Sequence, residues 1–287
     1  MFNFKQSLTL IATGALLVGC SAGNKETADT EDKSQTIVAA AQVDAQALQK
    51  IDQLFSLTPT QYEAQQKALT SCMASRGFTY VPSNKQSQRS LRTLISPSQL
   101  TLDQARSFGY QNQASALTEA SVGLDAPGAM EAFSGTSDSK IISVEGVPGG
   151  VKEDSCIASA YSELFGNTET GVFFEGGSLN LPLPYLNAAT SDPRTQELNT
   201  QWSNCMKNDY QLEYESPSII AKYPDQQTID TATADAQCRE KINYESQLLD
   251  IYNAYLTTFL NDNQNIIQQI SDAKKLAETN APKILSQ

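Results

Sequence analysis

Five cysteines, a complete lack of histidine and a set of scattered carboxylates bound the chemistry open to this 287-residue chain. Without histidine, a Ser-His-Asp or Cys-His nucleophile pair is excluded within the chain, as is any histidine-containing metal site. Carboxylate-based hydrolysis survives, because two acids working as proton donor and nucleophile need no imidazole. The carboxylates nearest to glycine- or aromatic-rich segments are Glu175, beside Gly176-Gly177, and Glu213 with Glu215. The plainer expectation is that all three are solvated surface charges, with Glu213 and Glu215 on one exposed face of an extended segment. Phe173, Phe174, Tyr185, Tyr210, Tyr214 and Tyr223 carry rings that can stack on sugars, although such rings more often build cores. Asp262 sits among asparagines but lacks the glycine and terminal glutamate of a calcium loop. With neither a phosphate-cradling glycine loop nor a dinucleotide fingerprint, no catalytic residue, metal or cofactor is assigned.

The four cysteines Cys72, Cys156, Cys205 and Cys238 are far apart and form no Cys-x-x-Cys pair, which disfavours zinc and thioredoxin-like redox chemistry. In an exported protein an even number of cysteines reads as disulfides, and four allow three pairings. Cys72–Cys156 with Cys205–Cys238 is favoured, since each bond then joins a Cys-Met helix to the next cysteine-bearing helix. Each would be worth roughly 4 kcal/mol by chain entropy. A Cys72–Cys205 bond would overturn that pairing.

The elements that must position these residues are mostly helices. Apolar residues from Ile37 to Phe55 recur at helical spacing. Thr58-Pro59 reads as a cap and first turn for a second helix bearing Tyr62, Leu69, Cys72 and Met73, which Gly77 ends with Phe78 folded back on it. Ser83 to Ser90 is a surface loop. Thr101 with Gln104 makes a capping box for a short helix closed by Gly109, and another short helix spans Pro127 to Phe133. Ile141 to Val147 suits a small strand. Ser155 caps a helix from Cys156 to Phe165, with Gly166 as its stop. The glycines and prolines between Gly171 and Leu186 predict extended edge or hairpin structure. Asp192-Pro193 opens a helix bearing Leu198, Trp202, Cys205 and Met206.

Between Pro224 and Pro282 there is no glycine or proline, and Leu249, Tyr252, Leu256, Phe259, Asn263, Ile266, Ile270, Ala273 and Ala277 alternate three and four apart. This is a coiled-coil-like seam. Unbroken, it would form a rod of about 75 Å. A kink or break is expected at Asn261–Asn265, and the seam is expected to pack within the chain against the helix around Ile51. The fold expected is therefore mainly α: a disulfide-stapled helical domain over residues 36–287 with a long C-terminal helix or helix pair and a few short β segments. It is readable as two related halves, about 59–166 and 192–280. A monomer is expected.

At the N-terminus, Lys5 precedes an apolar run from Leu8 to Val18, too short for the roughly 20 residues that cross a bilayer. Charge followed by a short apolar run is the pattern of an export signal. Its last residues, Leu17-Val18-Gly19-Cys20, resemble the lipobox of bacterial lipoproteins. That resemblance implies cleavage after residue 19 and acylation of Cys20, with palmitate-type chains, as the membrane anchor. Two or more chains hold stably, at about 0.8 kcal/mol per buried methylene. The inner-membrane retention signal, an aspartate after the cysteine, is replaced by Ser21. The outer membrane is therefore expected in a diderm cell and the outer face of the plasma membrane in a monoderm one. Residues 20–35 are polar and aperiodic, a flexible tether reaching roughly 20 Å.

Four further stretches carry a second resemblance: Cys72-Met73 with Gly77-Phe78-Thr79-Tyr80, Ser155-Cys156 with Leu164-Phe165-Gly166, Trp202-Ser203-Asn204-Cys205-Met206, and Ala234-Asp235-Ala236-Gln237-Cys238. Together they are similar to uncharacterised four-cysteine exported lipoproteins of Gram-positive bacteria, over most of residues 60 to 240. The resemblance implies a fold and a disulfide framework but carries no activity. The second Cys-Met unit departs from the first in having Asp209-Tyr210 where the first has Gly77-Phe78. A net charge of −12 and a pI near 4.5 argue against nucleic acid as partner. The function expected is a lipid-anchored cell-envelope protein, non-enzymatic, binding or organising an envelope protein or glycan. The alternative is a histidine-free envelope hydrolase using paired carboxylates.

Overall fold

The computed structural model describes residues 37–82, 90–96, 99–110, 123–220 and 228–287. Leu17–Cys20, the tether, the loop from Ser83 up to Ser90, and Tyr223 lie outside the described residues. Residues 37–287 form one compact unit.

Helix α1 (Ala47–Phe55) buries Ala47, Leu48, Ile51 and Phe55. Helix α2 (Pro59–Ser75) starts with a reciprocal capping box, Thr58 Oγ1 accepting from the Gln61 amide and Gln61 Oε1 accepting from the Thr58 amide. It ends with Gly77 at φ +84°, where the Phe78 amide donates back to the Met73 carbonyl at 3.0 Å. Only a residue without Cβ adopts that left-handed turn at no steric cost. Two short helices follow, α3 (Leu91–Ile95) and α4 (Leu102–Phe108), the latter with a Thr101/Gln104 capping box. After α5 (Ala129–Ser134) come two-residue strands, β1 (Ile141–Ile142) and β2 (Val151–Lys152), paired antiparallel. The expected strand thus stops early; Val144 and Val147 lie in the connection, where Val147 is buried.

The remaining helices are α6 (Cys156–Phe165), α7 (Thr168–Asn180), α8 (Leu183–Thr190), α9 (Pro193–Tyr210), α10 (Pro217–Ile220), α11 (Ile229–Lys241), α12 (Tyr244–Asp262) and α13 (Gln264–Leu285). Ser155, Asn167, Asp192 and Thr228 cap α6, α7, α9 and α11 by accepting from amides of the first turn. The fold is mainly α, with two disulfides as staples. Cys72–Cys156 ties α2 to α6 with Cα atoms 5.6 Å apart, and Cys205–Cys238 ties α9 to α11 with Cα atoms 5.7 Å apart.

Each staple sits within a group of packed helices. One group is α2, α6, α7 and α13; the other is α4, α8, α9, α11 and α12. The C-terminal seam serves both, because it breaks at Asn263. There Asn263 Nδ2 donates to Tyr185 Oη and to the Phe259 carbonyl, both at 2.9 Å, and a new helix, α13, starts at Gln264. Leu256, Phe259, Ile270, Ala273 and Ala277 of the seam are buried within the chain. Helix α1 touches both seam helices, but α8 packs more extensively on α12, and α2 and α6 more extensively on α13.

Two expectations are corrected. The helix read from Ile37 to Phe55 begins only at Ala47, and residues 37–46 run as a strap along α12. Side chains and one carbonyl of α12 satisfy the strap's backbone instead of helical i→i−4 bonds. The Asp44 amide donates to Thr257 Oγ1, the Ala40 amide to the Ala254 carbonyl, Thr258 Oγ1 to the Val38 carbonyl and Asn253 Nδ2 to the Ala45 carbonyl. The second correction is Gly171–Leu186, which is helical (α7 and the start of α8) and not extended. Its glycines are contact points. A Cβ on Gly171 would lie 2.4 Å from Tyr161 Cβ, and one on Gly176 would lie 2.5 Å from Val147 Cγ1. Close packing on two sides offsets the roughly 1 kcal/mol per glycine that helix propensity costs.

Candidate functional site

The carboxylates singled out by sequence are not brought together. Glu175 lies on α7 and accepts from Gln65 Nε2 of α2 at 2.9 Å. Glu213 is exposed and paired with Lys207 at 2.9 Å, which holds its carboxyl below the usual range. Glu215 is exposed two residues on, with Leu212 and Tyr214 half-buried on the alternate face. The aromatics divide similarly. Phe174 is core, its ring 5.1 Å from Phe165 and 6.5 Å from Phe55. Tyr185 stands edge-on to Phe259 at 5.3 Å, Tyr214 is 6.5 Å from Trp202, and Tyr210 Oη donates to Gln237. Phe173 lines a groove.

The densest polar constellation was missed by sequence reading. Asp235, on α11, is buried, and its Oδ1 accepts from Trp202 Nε1 at 2.9 Å and from Arg239 Nε at 2.7 Å. Its Oδ2 accepts from Tyr110 Oη at 2.8 Å. Arg239, equally buried, donates onward to Ser96 Oγ at 2.9 Å and to Glu245 Oε1 at 2.5 Å, and its guanidinium lies 5.3 Å from the Tyr244 ring centroid. Burial works against the Arg239 charge, but the Asp235 and Glu245 carboxylates more than offset it and hold its pKa above the ordinary value. Burial, reinforced by Asp235, pushes the Tyr110 hydroxyl far up. The cluster joins the residues after α3 and α4 to α9, α11 and α12, and Asp235 has a donor on each oxygen. Such a network specifies packing instead of leaving a reactive group free. Its sequence signal was the Asp235/Arg239 spacing of four in an alanine-rich helix downstream of the sole tryptophan.

Several grooves open to the surface among the described residues, and two of them bear on function. One, of about 620 Å³ between α9 and α12, is lined by Arg194, Glu197, Gln201, Gln247 and Asp250 over Leu198 and Ile251. Arg194 also forks onto Asp192 beside it, Nε to Oδ1 at 3.0 Å and Nη2 to Oδ2 at 2.8 Å, while Tyr255 Oη reaches Oδ2 at 3.0 Å. The Arg194 guanidinium thereby holds the Asp192 carboxyl down at about 2, against the opposing effect of burial. The other groove, of about 530 Å³, has a floor of Phe173, Leu181, Ile266, Ala273 and Leu276 and a rim that includes Glu145, Glu169 and Asp272. Among the described residues no group of three or more acidic or cysteine side chains is placed to hold a metal ion, and no helix is long and apolar enough to cross a membrane. No family model, curated protein or solved structure matches the chain.

Proposed function

We propose that the chain is an exported envelope protein, anchored by acyl chains on Cys20, that works by binding another envelope component. The observation that carries the binding role is the apolar groove floored by Phe173 and Leu276, because an open concave apolar surface with a polar rim is the usual form of a recognition site. The anchor rests on Leu17-Val18-Gly19-Cys20. Replacing Cys20 by Ser should move the protein from the membrane fraction to the soluble one. Full retention would refute the anchor.

One observation favours the hydrolase as second reading: Glu197 and Asp250 line the same groove. Two carboxylates facing one cleft are the minimum for glycoside cleavage without histidine. If the protein released soluble sugar from purified envelope glycan, and Glu197→Gln and Asp250→Asn each abolished release, catalysis would replace binding as the role.

A further inference from the structure

We propose that the groove between α7, α13 and the β1–β2 connection receives a cationic amphipathic segment of a partner polypeptide, apolar side chains down and Lys or Arg at the rim. This names the partner class for the binding role above and rests on it. The floor is apolar and open: Phe173, Leu181 and Ile266 are only half-buried, and Leu276 keeps 45 % of its surface exposed. Apolar side chains laid along a helix at three- and four-residue spacing fill such a floor.

Charge then selects among occupants. Glu145 and Glu169 are exposed at the rim, and neither has an ion-pair partner among the described residues. Asp272 is engaged by Lys275 at 3.3 Å. Two unneutralised carboxylates beside an apolar floor favour a cationic partner and penalise an anionic one. A second copy of this chain would bring the same acidic rim and a net charge of −12. A bare acyl chain would fill the floor and leave the rim unanswered. One wall is preformed, because Val147 of the β1–β2 connection seats on the Cβ-less face of Gly176. Binding therefore requires little loop ordering, a cost that otherwise subtracts from affinity.

The test uses the full chain in neutral phosphatidylcholine vesicles and a fluorescein-labelled leucine–lysine amphipathic peptide, read by anisotropy. The leucine–glutamate counterpart should bind more weakly than the lysine peptide. Charge reversal at the rim (E145K/E169K) should weaken the lysine peptide about ten-fold, and L276S about three-fold. Reversal of two exposed carboxylates outside the groove (D125K/E131K) should leave affinity within about two-fold, since remote surface charges are screened. Equal weakening by both double variants, or indifference to L276S, would overturn the proposal. So would displacement of the peptide's role by a fluorescent fatty acid that alone binds the groove, or self-association lost on L276S. Flotation of the same vesicles reads the anchor separately, so a failed anchor and an empty groove are distinguishable.

Discussion

Asp235 is a buried carboxyl group, satisfied there because a tryptophan, a tyrosine and an arginine all donate to it. Removing one partner of such a cluster strands the others. Asp235→Ala leaves the Arg239 guanidinium buried beside Glu245 alone, with an expected loss of about 3–5 kcal/mol in urea unfolding. Replacing the pair together (D235L/R239M) removes the stranded charge but still leaves the Trp202 and Tyr110 donors without an acceptor, so it should recover only part of that loss; full recovery would show that the two donors do not depend on Asp235. Asp192 gives a pH signature. Its ordinary value is 3.8 and the folded value is about 2, so the unfolded chain binds the proton first on acidification. The stabilisation is present above about pH 4 and is lost as pH falls through about 2. It is worth at most about 2 kcal/mol, because Arg194 is more than half exposed and therefore screened. Asp192→Asn keeps the cap of α9 and removes the charge, so its stability should vary less than wild type between pH 4 and pH 2. Parallel curves would refute the assignment.

Helix α7 forms where every local signal points to a loop, with glycines at 171, 176 and 177 and Pro182 just beyond. What makes the segment helical is its surroundings: Tyr161 on α6 and Val147 on the β1–β2 connection approach Gly171 and Gly176 where any Cβ would intrude. Gly171→Ala sets about 1 kcal/mol of helix propensity against a clash with Tyr161 Cβ and Cγ, which are not the free end of a side chain. The clash should win, lowering stability by about 1–3 kcal/mol in thermal unfolding. A stabilised variant would show that α6 and α7 can separate at little cost. The strap fails to be a helix for a related reason. Residues from Ile37 to Asp44 have helical spacing, but Asn253, Thr257 and Thr258 of α12 compete for their backbone groups, and no local pattern announces partners some two hundred residues away. Of the candidate site, the sequence announced Phe173 as a ring available for contact. The rim residues Glu145, Glu169 and Asp272 come from three separate segments, and their convergence is not encoded in any one of them.

Across the molecule, the two staples divide the helices as the packing does. Cys72–Cys156 closes a separation of 84 residues within the group that includes α13, and Cys205–Cys238 closes 33 within the group that includes α12. Chain entropy ranks the first bond slightly higher, about 4.5 against about 4 kcal/mol. Replacing Cys72 and Cys156 by alanine should therefore lower the urea midpoint at least as much as replacing Cys205 and Cys238. The reverse order would show that native-state packing around Cys205 and Cys238, both buried where Cys72 is only half-buried, outweighs loop closure. Caps and periodicity were enough to state a mainly α chain with a break near Asn263, because both depend on residues within one or two turns of one another, and the even cysteine count added the expectation of staples. Tertiary structure alone decided that α13 leaves its neighbours to pack on α2 and α6, that a glycine-rich stretch becomes α7, and that one apolar groove acquires an acidic rim. Those outcomes depend on contacts between distant segments, whose energies appear only once the chain has closed on itself.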